Sequence, residues 1–424
     1  MALDRRDFLV RTGLLLSAAG IDGALREDDA AAASETIAAP GWNTVRAQFR
    51  LDRGWVHLGA FLLASHPRMV RESIERFRRR LDARPVQTVQ QEWPRYEAAV
   101  LRAAASYLRA DPADIALTDS TSMGLALLYN GIDLRPGQDV LATRHDFFVT
   151  RDTLRTRAAR VGASFREISL YDEQREQISE DRILERLLAS VRPQTRVVAL
   201  TWVHSSTGVK LPVRRIADRL AELNKGRSAD NRVLLCVDGV HGFGVEDVTM
   251  ADLGCDFFVA GCHKWLFGPR GTGLVWARPD AWPFASPTIP SFTSAGTPGS
   301  ASTPGGYHSF EHRWALAQGF AFQRWIGKAR VEARTRALNA RLKIGLATMS
   351  HVKLYTPTAG RLSSGIVCFD VRGLTPSEVV ARLRTRRIIA TVTPYVPSYV
   401  RLSASIVNTP ADVERALNAI RSLG

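Results

Sequence analysis

The chain has 424 residues, 45% of them hydrophobic, with 57 Lys+Arg against 42 Asp+Glu and a net charge of +15. That composition excludes a disordered chain, the length allows two domains or one large α/β unit, and no stretch approaches the ~20 apolar residues of a membrane-spanning helix. Only six of the basic residues are lysine, and the arginines lie scattered in helix-like stretches such as Arg78-Arg79-Arg80 and Arg382 to Arg387, so solvated helix faces are expected rather than a nucleic-acid stripe. Four cysteines without Cys-x-x-Cys pairs offer neither a zinc site nor a disulfide framework; Cys236, Cys255 and Cys262 fall in apolar strand-like runs and read as buried thiols.

The N-terminus reads Asp4-Arg5-Arg6-Asp7-Phe8-Leu9-Val10-Arg11, then a weakly apolar run from Thr12 to Ala24 and alanines from Ala30 to Ala33. Paired arginines ahead of an apolar run and a small-residue site resemble a bacterial twin-arginine export signal, so residues 1–33 are expected to be a leader read by the twin-arginine machinery, and the mature protein to be periplasmic. From Trp42 onward, short β-rich runs alternate with helix-like stretches, the pattern of a mostly parallel sheet covered by helices. Strands are predicted at Ile115 to Leu117, Val140 to Ala142, Arg196 to Trp202, Val233 to Val237, Phe257 to Ala260 and Gly273 to Trp276. Ile183, Leu184, Leu187, Leu188 and Val191 have helical spacing. The polar stretch from Pro287 to Gly306 reads as a long loop, and Ala315 to Thr348 as a helical segment. Beyond it, strand, helix, strand, strand and helix follow, with Thr375-Pro376-Ser377-Glu378 and Thr409-Pro410-Ala411-Asp412 marking two helix starts. The organisation expected is a leader (1–33), a large unit (34–329) and a small α+β unit (330–424).

Three segments carry chemistry. In Gly261-Cys262-His263-Lys264-Trp265, a lysine follows a buried strand, where desolvation lowers its pKa and frees the amine to attack a carbonyl. No Gly-Lys-Ser/Thr closes the following glycines, which excludes a Walker phosphate loop. In Val237-Asp238-Gly239-Val240-His241, a carboxylate ends an apolar strand, where α/β proteins bind ligands. In Leu117-Thr118-Asp119-Ser120-Thr121-Ser122, a strand runs through hydroxyl residues into a helix, whose free N–H groups suit a phosphate. Taken alone, Ser/Thr helix caps and a histidine such as His145 near a strand end are more often structural.

In this order and spacing, the segments resemble the class V aminotransferase family of pyridoxal-phosphate enzymes, over roughly residues 41 to 424. The resemblance implies a fold-type I α/β architecture, a homodimer, and pyridoxal 5'-phosphate as cofactor. It implies that Lys264 bonds the cofactor aldehyde and moves the Cα proton, that Asp238 pairs with the pyridine nitrogen, and that His145 stacks on the ring. It places His241 and Ser205 near the ring hydroxyl, Thr121, Ser122 and His263 on the phosphate, and Arg401, in Tyr399-Val400-Arg401-Leu402-Ser403, on the substrate carboxylate. The nucleophilic cysteine that desulfurases carry ahead of that arginine is missing between Ile389 and Tyr399, and Gly261 stands where a phosphate-touching serine is common. Phe61-Leu62-Leu63-Ala64-Ser65-His66-Pro67 and Ser309-Phe310-Glu311-His312-Arg313-Trp314, with the export signal, are similar to an exported branch of the family that tailors pyoverdine siderophores. The activity expected is transamination or side-chain tailoring of an amino acid or a peptide-borne amino group. Epimerisation and C–S or C–N lysis on the same scaffold stay open, as does a non-catalytic cofactor- or nucleic-acid-binding protein. No metal and no stable membrane insertion are expected.

Overall fold

The computed structural model describes residues 39–292 and 296–424, so the expected leader lies outside the described residues. After β1 (Val56–His57) come β2 (Ile115–Thr118), β3 (Asp139–Thr143), β4 (Ser164–Ile168), β5 (Thr195–Thr201), β6 (Leu234–Asp238), β7 (Phe257–Gly261) and β8 (Gly273–Ala277). The last seven form one sheet in the order β2-β8-β7-β6-β5-β3-β4. Its pairings are parallel except those of β8, which runs antiparallel to both β2 and β7.

Helices cover both faces, and strand residues sort between them with a period of two. Val198, Leu200, Leu235, Val237 and Phe258 join one apolar cluster with the helices Pro85–Leu108, Glu180–Ser190 and Val213–Asn224. Val197, Ala199, Leu234, Cys236 and Phe257 join another with Thr121–Gly131 and Phe148–Val161. Burial on both faces is why these strands read as continuous apolar runs. The six predicted strands of the sheet all form, each end within a residue of expectation. The seventh, β4, escaped notice because it is a half-exposed edge strand, and its Arg166 pairs with Asp139 at 3.0 Å instead of adding to an apolar run.

The predicted helical segment from 315 to 348 is two helices, Phe310–Ile326 and Lys328–Ala347, broken at Gly327 with φ +94°. The expectation of a long loop from 287 to 306 is also corrected in part. Residues Pro298–Ser302 form a short helix with a Thr297/Ser300 capping box. Gly299 is required there, because a Cβ would lie 2.3 Å from the Ile115 carbonyl oxygen.

Toward the C-terminus, β9 (Val352–Leu354), β10 (Val367–Val371), β12 (Thr391–Val392) and β13 (Val400–Leu402) form an antiparallel sheet in the order β12-β13-β10-β9. β11 (Ile388–Ile389) pairs in parallel with β1, so Val56 and Leu58 share an apolar cluster with Leu342, Phe369, Leu402 and Leu417. Both predicted helix starts are present, and each carries a capping box, Thr375 with Glu378 and Thr409 with Asp412. From β3 the chain passes outward to β4, then returns across to β5 and on to β6 and β7. The carboxyl ends of β3 and β5 thus flank the reversal of strand order where open α/β sheets bind ligands.

Candidate active site

Lys264 follows β7 on a tight loop in which Cys262 N–H bonds the Thr272 carbonyl at 2.9 Å and Gly268 N–H bonds the Cys262 carbonyl at 2.8 Å. The next residue, Trp265, is buried with Phe61, Tyr355, Cys368 and Tyr399, and Gln323 Nε2 donates to its carbonyl at 2.7 Å. Packing of Trp265 therefore fixes where the lysine starts. The Lys264 amine is hydrogen-bonded to none of the described residues. Burial, with Arg401 adding repulsion, lowers its pKa from 10.5 to about 8 against the pull of Asp238.

Asp238 ends β6, directly beside β7, and is paired in register with Val259. Burial raises its carboxyl from 3.8 to about 6, while the Val240 N–H at 3.1 Å and the Lys264 charge hold it down. The lysine and the carboxylate thus act on each other across one cleft. After Asp238 the chain must turn against aromatic rings, which accounts for two glycines. A Cβ on Gly239 would lie 2.0 Å from the Phe258 ring, and one on Gly242 would lie 2.1 Å from Trp202.

At the end of β2, Ser120 caps the helix Thr121–Gly131 by accepting the Met123 N–H at 3.1 Å, leaving the first backbone N–H groups of the helix to other partners. The Thr121 Oγ1 and the His263 Nδ1 are buried without a hydrogen-bond partner. They surround one spot: a Cβ built on Gly261 would lie 2.8 Å from Thr121 Oγ1, 3.1 Å from His263 Cε1 and 3.3 Å from the Thr121 nitrogen. Ser122 opens to solvent at the same helix start.

His145 lies on the opposite flank, stacked on Tyr171 with centroids 4.0 Å apart and planes at 16°. Its Nε2 bonds Glu173 Oε2 at 3.1 Å, and its Nδ1 is buried without a partner. Burial pushes the imidazole pKa down although Glu173 pulls it up, so Nε2–H donates from a neutral ring at pH 7. Burial would raise the Glu173 carboxyl, but bonds from His145 and from Tyr399, the latter at 3.0 Å, hold it at about 2. Asp146 ties the switch point together, accepting the Thr143 N–H at 2.7 Å and the Thr201 N–H at 2.6 Å, which joins the ends of β3 and β5. His204, beside it, bonds the Tyr171 hydroxyl at 2.6 Å.

The fourth wall comes from the C-terminal sheet. Arg401, buried on β13, donates through Nε to Thr391 Oγ1 at 3.0 Å and through Nη1 to the Ser205 carbonyl at 3.1 Å, and it lies over the Phe61 ring at 4.4 Å. No carboxylate pairs with it among the described residues. His241 is buried beside Phe61, its Nδ1 unpartnered; burial and the charges of Lys264 and Arg401 push its pKa well below the usual value.

The structure therefore gathers Lys264, Asp238, His241, Ser205 and Arg401 around one cleft, with Thr121 and His263 forming a cradle at one end and His145 on the β3 flank. Ser122 alone among the predicted residues is exposed. Tyr171, Glu173 and Tyr395 were missed. The first two sit just after the unrecognised strand β4 in a polar segment without periodicity, and Tyr395 lies in a stretch whose salient sequence feature is the lack of cysteine.

The architecture is that of the fold-type I pyridoxal-phosphate transferases. The cystine C–S lyase C-DES, solved as a mutant with glycine covalently linked to its pyridoxal-phosphate cofactor, matches with a TM-score of 0.80 at 20% identity, covering 89% of this chain and 99% of the lyase. The family model for class V aminotransferases matches residues 64–416, and the chain belongs to that family of pyridoxal-phosphate enzymes. Isopenicillin N epimerase of Streptomyces clavuligerus is 26% identical over 411 residues, covering 91% of this chain and 99% of the epimerase. A probable cysteine desulfurase of Pseudomonas aeruginosa is 26% identical over 354 residues, covering 77% of this chain and 82% of that protein.

Proposed function

We propose that this enzyme acts on the amino group of an amino acid, free or carried on a peptide, in a reaction of the aminotransferase kind with Lys264 as its central base. The observation that carries the reading is that Lys264, on the loop after β7, and Asp238, at the end of the adjacent β6, lie close enough for each charge to act on the other, in a cleft also walled by a buried arginine with no acidic partner among the described residues. The cleft suits the family's cofactor. Thr121 Oγ1 and His263 Nδ1 are orphaned donors or acceptors around a hollow that a single Cβ on residue 261 would occupy. Thr121, Ser122, His263 and the open helix start would hold the phosphate, Asp238 would pair with the ring nitrogen, His145 would face the ring, and Ser205 and His241 would serve its hydroxyl.

Bound there, the cofactor supplies an aldehyde and an electron-withdrawing ring that stabilises negative charge on the carbon beside the substrate's amino group. Burial lowers the Lys264 pKa to about 8, so its neutral amine is far more available near neutral pH than that of an exposed lysine. That amine is free to bond a carbonyl carbon, and it is placed to take a proton from the substrate carbon and return it. Arg401, stacked and bonded on two sides, offers its remaining edge to a carboxylate and so orients the carbon toward the lysine.

Desulfuration through a protein thiol is disfavoured. All four cysteines are buried, and burial raises the Cys368 thiol to about 12, far from the exposed thiolate such chemistry needs. Epimerisation is the second reading, supported by the near full-length likeness to isopenicillin N epimerase. The finer reading keeps the export route, the homodimer and a siderophore peptide such as pyoverdine as the carrier of the amino group; the twin-arginine pattern and the segments beginning at Phe61 and Ser309 support it.

Borohydride reduction of the yellow cofactor-loaded protein, followed by peptide mapping, should put the label on Lys264, and Lys264→Ala should lose label and turnover together. A label kept by Lys264→Ala on another lysine refutes the assignment. Mass spectrometry of products from an amino-acid panel and from siderophore peptides then separates the substrates.

A further inference from the structure

Residues 394–398 form a short loop closed at its base, where Thr393 N–H bonds the Tyr399 carbonyl at 2.9 Å and Tyr399 N–H bonds Thr393 Oγ1 at 2.8 Å. Pro394, Val396 and Pro397 point to solvent, Val396 completely so. Tyr395 turns the other way, and its hydroxyl bonds Ser205 Oγ at 2.7 Å. Ser205 is therefore held twice, by Tyr395 at its side chain and by Arg401 at its carbonyl.

The Arg401 guanidinium is rigid before any ligand arrives. The Phe61 ring covers one face, Thr391 takes Nε and Ser205 takes Nη1, while Nη2 bonds none of the described residues. Among the described residues, the Cys368 thiol and the Tyr395 hydroxyl are the neighbouring ionisable groups that favour its charge. The thiol is a buried residue of β10, so Tyr395 is the one of the two that reaches in from the loop. A buried guanidinium lacking an anion is costly unless an anionic ligand completes it.

We propose that Tyr395 is a substrate-contacting, specificity-determining residue: its hydroxyl and the open edge of Arg401 together receive the carboxylate of an α-amino-acid substrate, with Ser205 holding the hydroxyl in position. The proposal rests on the reading of this cleft as an amine-processing site and adds Tyr395, held by Ser205, to its carboxylate end. A donor on a preformed loop adds discrimination because its hydrogen bond is to a charged group, and losing such a bond weakens binding by roughly tenfold or more.

The test is a spectral titration of cofactor-loaded protein with L-alanine and with ethylamine, which keeps the amine and lacks the carboxylate. Wild type should bind L-alanine more tightly than ethylamine. Tyr395→Phe, which retains the ring, should weaken L-alanine about tenfold or more and leave ethylamine unchanged, and Ser205→Ala should fall between. Three results overturn the proposal: Tyr395→Phe matching wild type for both ligands, equal loss for both, or wild type that does not prefer L-alanine. Wild-type protein that takes up no cofactor overturns the reading of the cleft itself, and this proposal with it.

Discussion

Replacing Glu173 by Gln removes a charge from the wall of the cleft without removing its shape. Both carboxylate oxygens accept, one from His145 Nε2 and one from the Tyr399 hydroxyl. A glutamine oxygen can keep the histidine, and its amide can donate to Tyr399, whose hydroxyl rotates to accommodate it. Lowering a carboxyl from 4.5 to about 2 corresponds, at about 1.4 kcal/mol per pH unit, to about 3 kcal/mol in favour of the folded ionised form. This is a ceiling, since His145 is itself pushed toward the neutral form and lends a hydrogen bond rather than a full charge. Because the folded-state pKa is depressed, the stabilisation is fully present above about 4.5 and is lost as pH falls toward 2. Glu173→Gln should therefore lose about 1 to 3 kcal/mol at pH 7 and nearly as much at pH 5, with the deficit shrinking by about two-fifths at pH 3.5 and further below it. Urea unfolding of the two proteins, followed by tryptophan fluorescence at these pH values, measures the gap. Equal stability at pH 7, or a gap of the same size at every pH, would refute the account of Glu173 as an ionised anchor for His145.

Gly261→Ala places a methyl 2.8 Å from Thr121 Oγ1, so it should loosen cofactor retention about tenfold or more in equilibrium dialysis while leaving the melting point of the cofactor-free protein nearly unchanged, because the threonine can turn aside. Undiminished retention would move the phosphate cradle elsewhere. For export, Arg5→Lys combined with Arg6→Lys should leave full-length chain in the cytoplasmic fraction. A shortened protein still reaching the periplasm in that variant would remove the twin-arginine reading.

The amino-acid sequence by itself determined the buried strands, the capped helices and the residues at the ends of β6 and β7. Each has a local signature: a strand buried on both faces is an unbroken apolar run, a capping box is a spaced pair, Asp238 directly follows such a run, and Lys264 lies three residues beyond one. The edge strand β4 and the pairing of β1 with β11 left no such trace, since one is half polar and the other is only two residues long. Only the tertiary structure decided how the walls of the cleft are held. His145 meets Glu173 from 28 residues away, Arg401 meets Ser205 from 196, and Tyr395 meets Ser205 from 190. These contacts join single polar side chains, which carry no periodicity, and their partners are chosen by the reversal of strand order at β3 and β5 and by the C-terminal sheet closing against it.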